Sequence, residues 1–300
     1  MRFVETISRL KTRTMKLTKE GLLTFARLDD FLEPFTAAHV EKAKSLGADV
    51  LVYSDLPWMK ESRHSTELSN TLRIALLQFD SYDHWLSRLN KDTRYEIRKS
   101  RKMIQTRIIE RATKPEAEQI VGLYTESPFR EGRYFAEYSA WTAEKLLGKD
   151  LTDRRQLSVV AVYENQVVGF AKTIFNGQVA VVGTMLSSLS IRKKVRGVSN
   201  ALLSAQIEAL SQKGIRFLVY GKLDVLAGLD RFKASHGFTG ATVIYSYVTL
   251  TPKGRLLAGL GMYQPFDIVF STRLKFLIPH LGNLQRHLPL SVIQKLHLYA

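Results

Sequence analysis

The sequence predicts an α/β (α+β) fold with a central mixed, mostly antiparallel sheet flanked by helices. From residue 106 to residue 250, strand and helix patterns follow the order β-α-α-β-β-β-α-β-α-β. The short turns ENQ at 164–166 and NG at 176–177 join consecutive strand patterns, which is typical of antiparallel hairpins. The chain has 300 residues, of which 45% are hydrophobic, and this is enough to build a substantial core.

The N-terminal region predicts a short unit of its own. Apolar spacing between residues 29 and 46 indicates a helix that Gly47 ends, and DVLVY at 49–53 is typical of a buried strand. The polar, irregular stretch 55–70 then places a boundary near residue 70. We predict three parts, namely a helix and strand unit at 1–70, a main domain at 71–251, and a basic, Leu-rich helical tail at 252–300.

A strand and a strongly basic helical segment open the main domain. TLRIALL at 71–77 predicts the strand, and residues 80–104 predict one or two helices. Lys91, Arg94, Arg98 and Arg101 have spacings of three, four and three, so a helix places them along one face. We call these four residues the basic stripe. The stripe is either a solvated charged face or a surface that binds an anionic group, with Arg94, Arg98 and Arg101 as candidates.

The elements that follow are marked by their periodicity and by the residues at their ends. Pro115 fits the first turn of a helix, and Lys213-Gly214 ends a later one. The predicted ranges, in chain order, are strand 106–112, helices 115–124 and 135–147, strands 157–163, 167–175 and 179–191, helix 201–212, strand 215–221, helix 228–237 and strand 241–250.

Composition excludes some kinds of site and favours others. The chain has no cysteine, which excludes disulfides, thiolate metal sites and a Cys nucleophile, and the dispersed histidines predict no metal site. No signal peptide or membrane-spanning stretch is expected, so we predict a cytoplasmic protein. The net charge of +16 favours a polyanionic partner, and the basic tail is a candidate for peripheral membrane contact.

The basic turn RKKVRGVSN at 192–200 lies between a predicted strand and a predicted helix. A helix N-terminus offers unpaired N–H groups and the positive end of the helix dipole, and Gly197 permits close approach. The turn therefore suits a pyrophosphate, although a solvated basic turn has the same composition. The candidate ligands are Arg192, Lys193, Lys194, Arg196, Gly197, Val198 and Ser199.

This turn and the element order resemble the GNAT acyltransferases. In that family the turn has the pattern Arg/Gln-x-x-Gly-x-Gly/Ala and binds the pyrophosphate of acyl-coenzyme A. Here Lys194 replaces the first residue, Ser199 replaces the last, and Gly197 matches. The resemblance implies that the main chain at Leu189 and Ile191 pairs with the pantetheine arm. It also implies an N-acyltransferase that uses acyl-coenzyme A and an amine acceptor of open identity.

A second resemblance is to the FemAB-like branch of this superfamily, and it covers roughly residues 66–250. GLDRFKASHGF at 228–238 has a Phe-Lys pair before Gly-Phe, and NTLRIALLQFDSYDHWLSRLNKDTRYEIRKSRK at 70–102 has a strand, a Trp-bearing helix and an Arg-rich helix. FemAB-like proteins move an amino acid from aminoacyl-tRNA to an amine. Residues 1–70 would then be a shortened first GNAT-like unit, and the donor would be aminoacyl-tRNA.

The chemistry implied by these resemblances assigns three candidate catalytic residues. An amine attacks a carbonyl, and the oxyanion that develops needs a cation or a hydrogen-bond donor. Lys233 is the candidate for that role, and Tyr220 and Asp224 are candidates for handling the proton. Arg130 and Tyr134 are candidates for the acceptor pocket. The alternative to an enzyme is a non-catalytic binder of nucleic acid, tRNA included, or of an anionic membrane.

Overall fold

The computed structural model describes most of the chain between residues 15 and 259. The described residues are 15–20, 22–28, 35–55, 68–126, 129–130, 133–134, 138, 140–147, 151, 155–191, 194–224 and 227–259. They form twelve strands and eight helices, and the chain divides into two compact units. The divisions fall between residues 72 and 73 and between residues 242 and 243. The range predicted for the main domain, 71–251, includes residues 243–251, which this division places in the first unit together with most of the last strand.

The first unit contains a four-stranded segment of sheet with two helices. Its elements are β1 (Met15–Glu20), β2 (Leu23–Leu28), α1 (Ala37–Ser45), β3 (Val50–Asp55), most of β12 (Thr239–Thr249) and α8 (Pro252–Gly259). The strand order is β1-β2-β3-β12, in which β2 and β3 are parallel and the other pairs are antiparallel. Alternate residues of β3 enter two different hydrophobic clusters, so both faces of this strand are covered.

The second unit contains most of the helices and a six-stranded segment of sheet. Its elements are β4 (Leu68–Gln78, which begins in the first unit), α2 (Tyr82–Arg88), α3 (Lys91–Met103), β5 (Gln105–Ile108), α4 (Lys114–Thr125), β6 (Phe129–Arg130), β7 (Arg133–Tyr134), α5 (Ala143–Leu147), β8 (Gln156–Tyr163), β9 (Gln166–Asn176), β10 (Val179–Ser187), α6 (Val198–Gln212), β11 (Phe217–Lys222), α7 (Ala227–Ser235) and the start of β12.

The sheet of the second unit is mixed and mostly antiparallel, as predicted. Its strand order is β4-β11-β10-β9-β8-β5, and only β10 and β11 are parallel. Along β8, Leu157, Val159 and Ala161 pack in one cluster with α6, whereas Val160 packs in the other with α4. Helices therefore cover both faces, which explains why β8 is apolar without alternation.

Polar side chains fix where α2, α3 and α4 begin. Asn90 accepts the N–H of Thr93 at 2.8 Å and starts α3, and Ser81 accepts the N–H of His84 at 3.1 Å and starts α2. Thr113 and Glu116 form a capping box that starts α4. These residue types are helix-start signals, so the starts of these helices follow from local sequence.

Several predicted elements have different bounds. The helix expected from residue 29 is described only from Ala37, and the strand 179–191 ends at Ser187. The helix expected at 135–147 is interrupted in its described part: residue 138 is helical, but 140–142 form a turn and non-helical backbone before α5. The β1–β2 hairpin was not predicted at all. Its first strand, MKLTKE, has charged side chains at its second, fifth and sixth positions, so it lacks an apolar strand pattern.

Candidate active site

The parallel strands β10 and β11 separate after three residue pairs. Val179–Val181 of β10 pair with Phe217–Val219 of β11, and the pairing ends there although both strands continue. Directly beyond, the register shifts around Gly183 in β10 and around Gly221 in β11, which marks a β-bulge in each strand. Bulges bend a strand and increase its twist, so the two strands turn apart. We call the region beyond residues 181 and 219, where β10 and β11 no longer pair, the β10–β11 cleft.

Lys233 reaches from α7 to the bulged end of β11. Its side chain is 2% exposed, and Nζ donates to the carbonyl oxygen of Lys222 at 2.6 Å. Nζ also lies 3.7 Å from the Asp230 carboxylate and 5.3 Å from the centre of the Tyr220 ring. A buried ammonium group is costly unless other groups compensate its charge, and these three do so. The Lys233 side chain therefore lies buried beside the cleft, among groups that can compensate a positive charge.

Tyr220 lies where the two strands part. Its hydroxyl donates to the thioether sulfur of Met185 on β10 at 3.3 Å, so the two side chains meet across the cleft. The Tyr220 ring packs edge-on against Phe232 and Phe238, with centroids 6.5 and 5.8 Å away. Because a thioether is a weak acceptor, a carbonyl or oxyanion would be a better partner for this hydroxyl.

Asp224 follows β11 in a strained backbone conformation. Its φ is +62°, which is uncommon for a residue other than glycine. The carboxylate accepts a hydrogen bond from Nη1 of Arg73 at 3.0 Å, and both side chains are more than half exposed. An exposed pair of this kind contributes only about 0–1 kcal/mol, so it does not hold Asp224 rigidly.

The basic turn begins α6 at Gly197, and its geometry explains the glycine. Gly197 has φ +85°, and a Cβ added to it would lie 2.8 Å from Cβ of Ser100 in α3. The space beside Gly197 is therefore filled by α3. Lys194 pairs with Glu164 at 3.1 Å, and Val198 is buried. The turn thus packs against its own chain on one side.

The other members of the turn differ in accessibility. Arg196 is exposed, and Ser199 in the first turn of α6 is half-buried. Ile191 packs against the main hydrophobic cluster of the second unit, whereas Leu189 is 38% exposed. Arg192 and Lys193 lie outside the described residues. Of the predicted phosphate ligands, Arg196 and Lys194 are therefore the accessible cations that the structure describes.

Glu126 binds the main chain directly after β10, a contact that the sequence did not predict. Oε2 accepts the N–H of Leu189 at 2.6 Å, and Oε1 accepts the N–H of Ser190 at 2.6 Å. Oε1 also accepts the hydroxyl of Ser188 at 3.1 Å, and that hydroxyl in turn lies 3.3 Å from the N–H of Ile191. The amides expected to pair with a pantetheine arm are thus engaged within the chain.

The charge of Glu126 depends on these amides. Burial raises the pKa of the carboxyl, but the N–H groups of Leu189 and Ser190 outweigh it and hold the pKa below its ordinary value. The carboxylate is consequently ionised near neutral pH. No local pattern marks this residue, because Leu189 is 63 positions away along the chain.

The basic stripe is divided between packing and solvent. Arg101 donates to Tyr82 at 2.8 Å and to Glu208 of α6 at 2.7 Å. Arg94 donates to the carbonyl oxygen of Ser87 at 2.8 Å near the end of α2. Arg98 and Lys91 are exposed and form no ion pair with a residue that the structure describes.

The predicted acceptor residues lie on a separate hairpin. Arg130 is in β6 and Tyr134 is in β7, and these two-residue strands pair with each other. Their side chains lie outside the description. No cluster of three or more His, Asp or Glu in the described part of the chain is placed to hold a metal ion. Among the described helices, none is long and apolar enough to cross a membrane.

Comparison with known proteins supports the fold. No protein-family model matches the chain, and no curated protein matches it. Among solved structures, FemX matches with a TM-score of 0.53 and 10% identity over 82% of this chain and 86% of that chain. The C-terminal domain (DUF2156) of a protein named as a lysylphosphatidylglycerol synthetase, from Agrobacterium fabrum, matches with a TM-score of 0.52 and 16% identity over 86% and 85%.

A conserved protein of unknown function from Bacteroides thetaiotaomicron also matches, with a TM-score of 0.50 and 11% identity over 78% of this chain and 82% of that chain. At identities this low the likeness is one of fold. The chain has the GNAT-type fold in the form that FemX and the synthetase domain share, and this confirms the fold predicted from the element order and the FK…GF segment.

Proposed function

We propose that this chain transfers an aminoacyl group from an aminoacyl-tRNA to an amine-bearing acceptor, with the reaction centred in the β10–β11 cleft. The observation that carries the proposal is the buried ammonium group of Lys233 beside Tyr220 at the point where the strands part. A compensated charge buried next to an opening is a recurrent feature of catalytic sites. The resemblance to FemAB-like transferases supports the same catalytic role for Lys233.

Tyr220 and Lys233 have complementary roles in this proposal. The acceptor nitrogen attacks the ester carbonyl of the donor, and negative charge develops on the carbonyl oxygen. The Tyr220 hydroxyl exchanges the Met185 sulfur for that oxygen, which is a stronger acceptor. The Lys233 ammonium group, 5.3 Å from the ring, stabilises the developing charge electrostatically.

The bond changes balance without a further reactant. The new bond between nitrogen and carbon forms as the carbon–oxygen ester bond breaks, and the ribose hydroxyl leaves with the proton that the amine loses. Asp224 is the candidate to carry that proton, because its exposed carboxylate lies two residues after the Lys222 carbonyl that holds Lys233.

Two features of the basic turn disfavour acyl-coenzyme A, the donor that the sequence alone favours. The glycine of the turn is approached by Ser100 of α3, at 2.8 Å from an added Cβ. One of its lysines, Lys194, is partly neutralised by Glu164. A positive-φ glycine with the exposed Arg196 still favours phosphate, so acyl-coenzyme A is the second candidate donor.

A transfer assay with both donors tests the proposal. The purified chain is incubated with a mixture of small amine acceptors and either radiolabelled aminoacyl-tRNA or radiolabelled acetyl-coenzyme A. We expect transfer from the tRNA only, and binding of tRNA that weakens steeply with salt. Transfer from acetyl-coenzyme A would support the second candidate. Salt-dependent tRNA binding without transfer from either donor would instead indicate a non-catalytic binder and would contradict the proposal.

Substitution separates the catalytic role of Lys233 from its contribution to folding. Lys233→Met keeps the length of the side chain and removes its charge, and Tyr220→Phe removes the hydroxyl. We expect each to lower kcat by about 100-fold or more, as for the loss of other groups that stabilise an oxyanion. The control is Lys102→Met on the exposed side of α3, which should leave kcat unchanged. A Lys233→Met protein that is folded and fully active would contradict the role of Lys233.

A further inference from the structure

Among the described strands, none pairs with the cleft-facing edge of β10 beyond its first three residues. Pairing with β11 ends at Val181, whereas β10 continues to Ser187. The main chain then continues through Ser188, whose N–H donates to the carbonyl oxygen of Val168 at 2.9 Å. An open strand edge accepts an extended chain that carries amides, as in β-strand addition. The next main-chain donors along this path are the N–H groups of Leu189 and Ser190.

The Glu126 carboxylate accepts hydrogen bonds from those two N–H groups, although the end of its own helix is an unfavourable place for a negative charge. Glu126 directly follows α4, where the negative end of the helix dipole disfavours a carboxylate, and no basic residue lies in the last turn of α4. The contacts with Leu189 and Ser190, both at 2.6 Å, offset this cost. The position of the carboxylate is therefore explained by the segment after β10 and not by α4.

We propose that Glu126 is a specificity-determining residue that closes the end of the open β10 edge to pantetheine-bearing donors such as coenzyme A. A pantetheine arm is an extended chain with two amides, so it needs main-chain donors and acceptors along the edge. Glu126 fills two of the donors and places a negative charge where the phosphates of the same donor would follow. The occupied N–H groups and the repulsion between the carboxylate and the phosphates both act against this class of donor.

Coenzyme A binding to matched variants tests the proposal. Glu126→Ala frees both amides, and Glu126→Gln removes the charge but keeps an oxygen acceptor of similar reach. The controls are Glu118→Ala and Glu118→Gln, because Glu118 is an exposed acidic residue of the same helix and loses the same charge. Titration calorimetry with coenzyme A up to ~1 mM measures affinity in all four variants and in the unchanged chain.

The expected result is a gain of binding in one pair of variants only. Glu126→Ala should bind coenzyme A at least ~10-fold more tightly than Glu118→Ala, with Glu126→Gln between them because only the charge is lost. Equal affinity in the Glu126 and Glu118 variants would overturn the proposal. Micromolar binding by the unchanged chain would overturn it as well, because Glu126 would then exclude nothing.

Hydrogen exchange supplies a readout that does not depend on any ligand. In Glu126→Ala the amides of Leu189 and Ser190 should exchange at least ~10-fold faster, while the amide of Ser188 stays protected by Val168. In the unchanged chain, protection of the same two amides should fall as the pH drops through the pKa of Glu126. Unchanged exchange in Glu126→Ala would show that the carboxylate does not hold this segment in solution.

The proposal for Glu126 rests on the proposed function, because it assumes that the donor binds in the β10–β11 cleft. The experiments can nevertheless refute either proposal without the other. If neither donor supports transfer while Glu126→Ala gains coenzyme A, the aminoacyl transfer is wrong and the exclusion by Glu126 stands. If transfer from aminoacyl-tRNA occurs but Glu126→Ala gains no coenzyme A, the function stands and the role of Glu126 is wrong.

Discussion

Gly197→Ala should destabilise the chain by two separable effects. At φ +85° an alanine side chain meets the backbone strain of the left-handed region, which costs roughly 1–2 kcal/mol. The added Cβ would also lie 2.8 Å from Cβ of Ser100, and forcing extra volume into a packed site costs about 1–3 kcal/mol. We therefore expect a loss of roughly 2–5 kcal/mol in the free energy of unfolding.

The chain contains a control for the strain alone. Gly214 has φ +74°, but nothing lies within 4 Å of a Cβ added there. Gly214→Ala should cost only the roughly 1–2 kcal/mol of the backbone term. The difference between the two variants then measures the contact with Ser100, which lies beside Gly197 but not beside Gly214.

A double-mutant cycle identifies the neighbour. Ser100→Gly removes the atom that clashes, at its own cost of about 1 kcal/mol as a helix-interior glycine. If α3 packs on the turn as described, Gly197→Ala should cost less in the Ser100→Gly background than in the unchanged chain. Urea denaturation followed by circular dichroism measures all four free energies of unfolding. The reasoning is refuted if Gly197→Ala costs no more than Gly214→Ala, or if Ser100→Gly leaves the cost unchanged.

Two further predictions concern pH and buried groups. Burial raises the pKa of Asp49, but contacts with Lys253, Thr24 and Thr251 outweigh burial and hold the pKa below its ordinary value of 3.8. The ionised carboxylate therefore stabilises the fold at neutral pH. This stability is lost as the pH falls through the pKa of the folded state. Asp49→Asn should lower the free energy of unfolding, measured by urea denaturation at pH 7, by about 1–3 kcal/mol. The difference in this free energy between the variant and the unchanged chain should shrink below pH 4. A difference that does not depend on pH would contradict the ion pair. Burial lowers the pKa of His236, so protonation of the unfolded chain should reduce stability as the pH falls through 6.5. His236→Gln should remove that slope, and an unchanged slope would assign it to another group.

The part of the fold that follows from sequence is the part fixed by neighbouring residues. Asn90, Ser81 and the Thr113–Glu116 box start their helices through contacts three positions away, so the signals for α2, α3 and α4 are local. The β8–β9 hairpin is equally local, and the backbone of Glu164 and Asn165 takes the left-handed conformation that its tight turn needs.

The candidate site depends on contacts that local sequence does not encode. The bulges at Gly183 and Gly221 set where β10 and β11 part. A glycine in a strand pattern does not by itself predict a bulge, because it is also found at bends and where another chain approaches closely. The FK…GF resemblance identifies Lys233. It does not show that the side chain is 2% exposed, or that its amine lies against Lys222 and Tyr220. Glu126 had no signal at all.

The basic stripe shows why spacing alone does not assign a role. Its helix buries Thr93, Ile97 and Ser100, so the stripe at 91, 94, 98 and 101 runs alongside the buried face and not opposite to it. Arg101, which Glu208 and Tyr82 engage, and Ser100, which packs on Gly197, together hold α3 against α6. Lys91 and Arg98 are exposed and form no ion pair with a residue that the structure describes, so their charges face solvent. Of the predicted substrate ligands of the stripe, Arg98 is therefore available to an anionic group, whereas Arg101 would first have to leave Glu208.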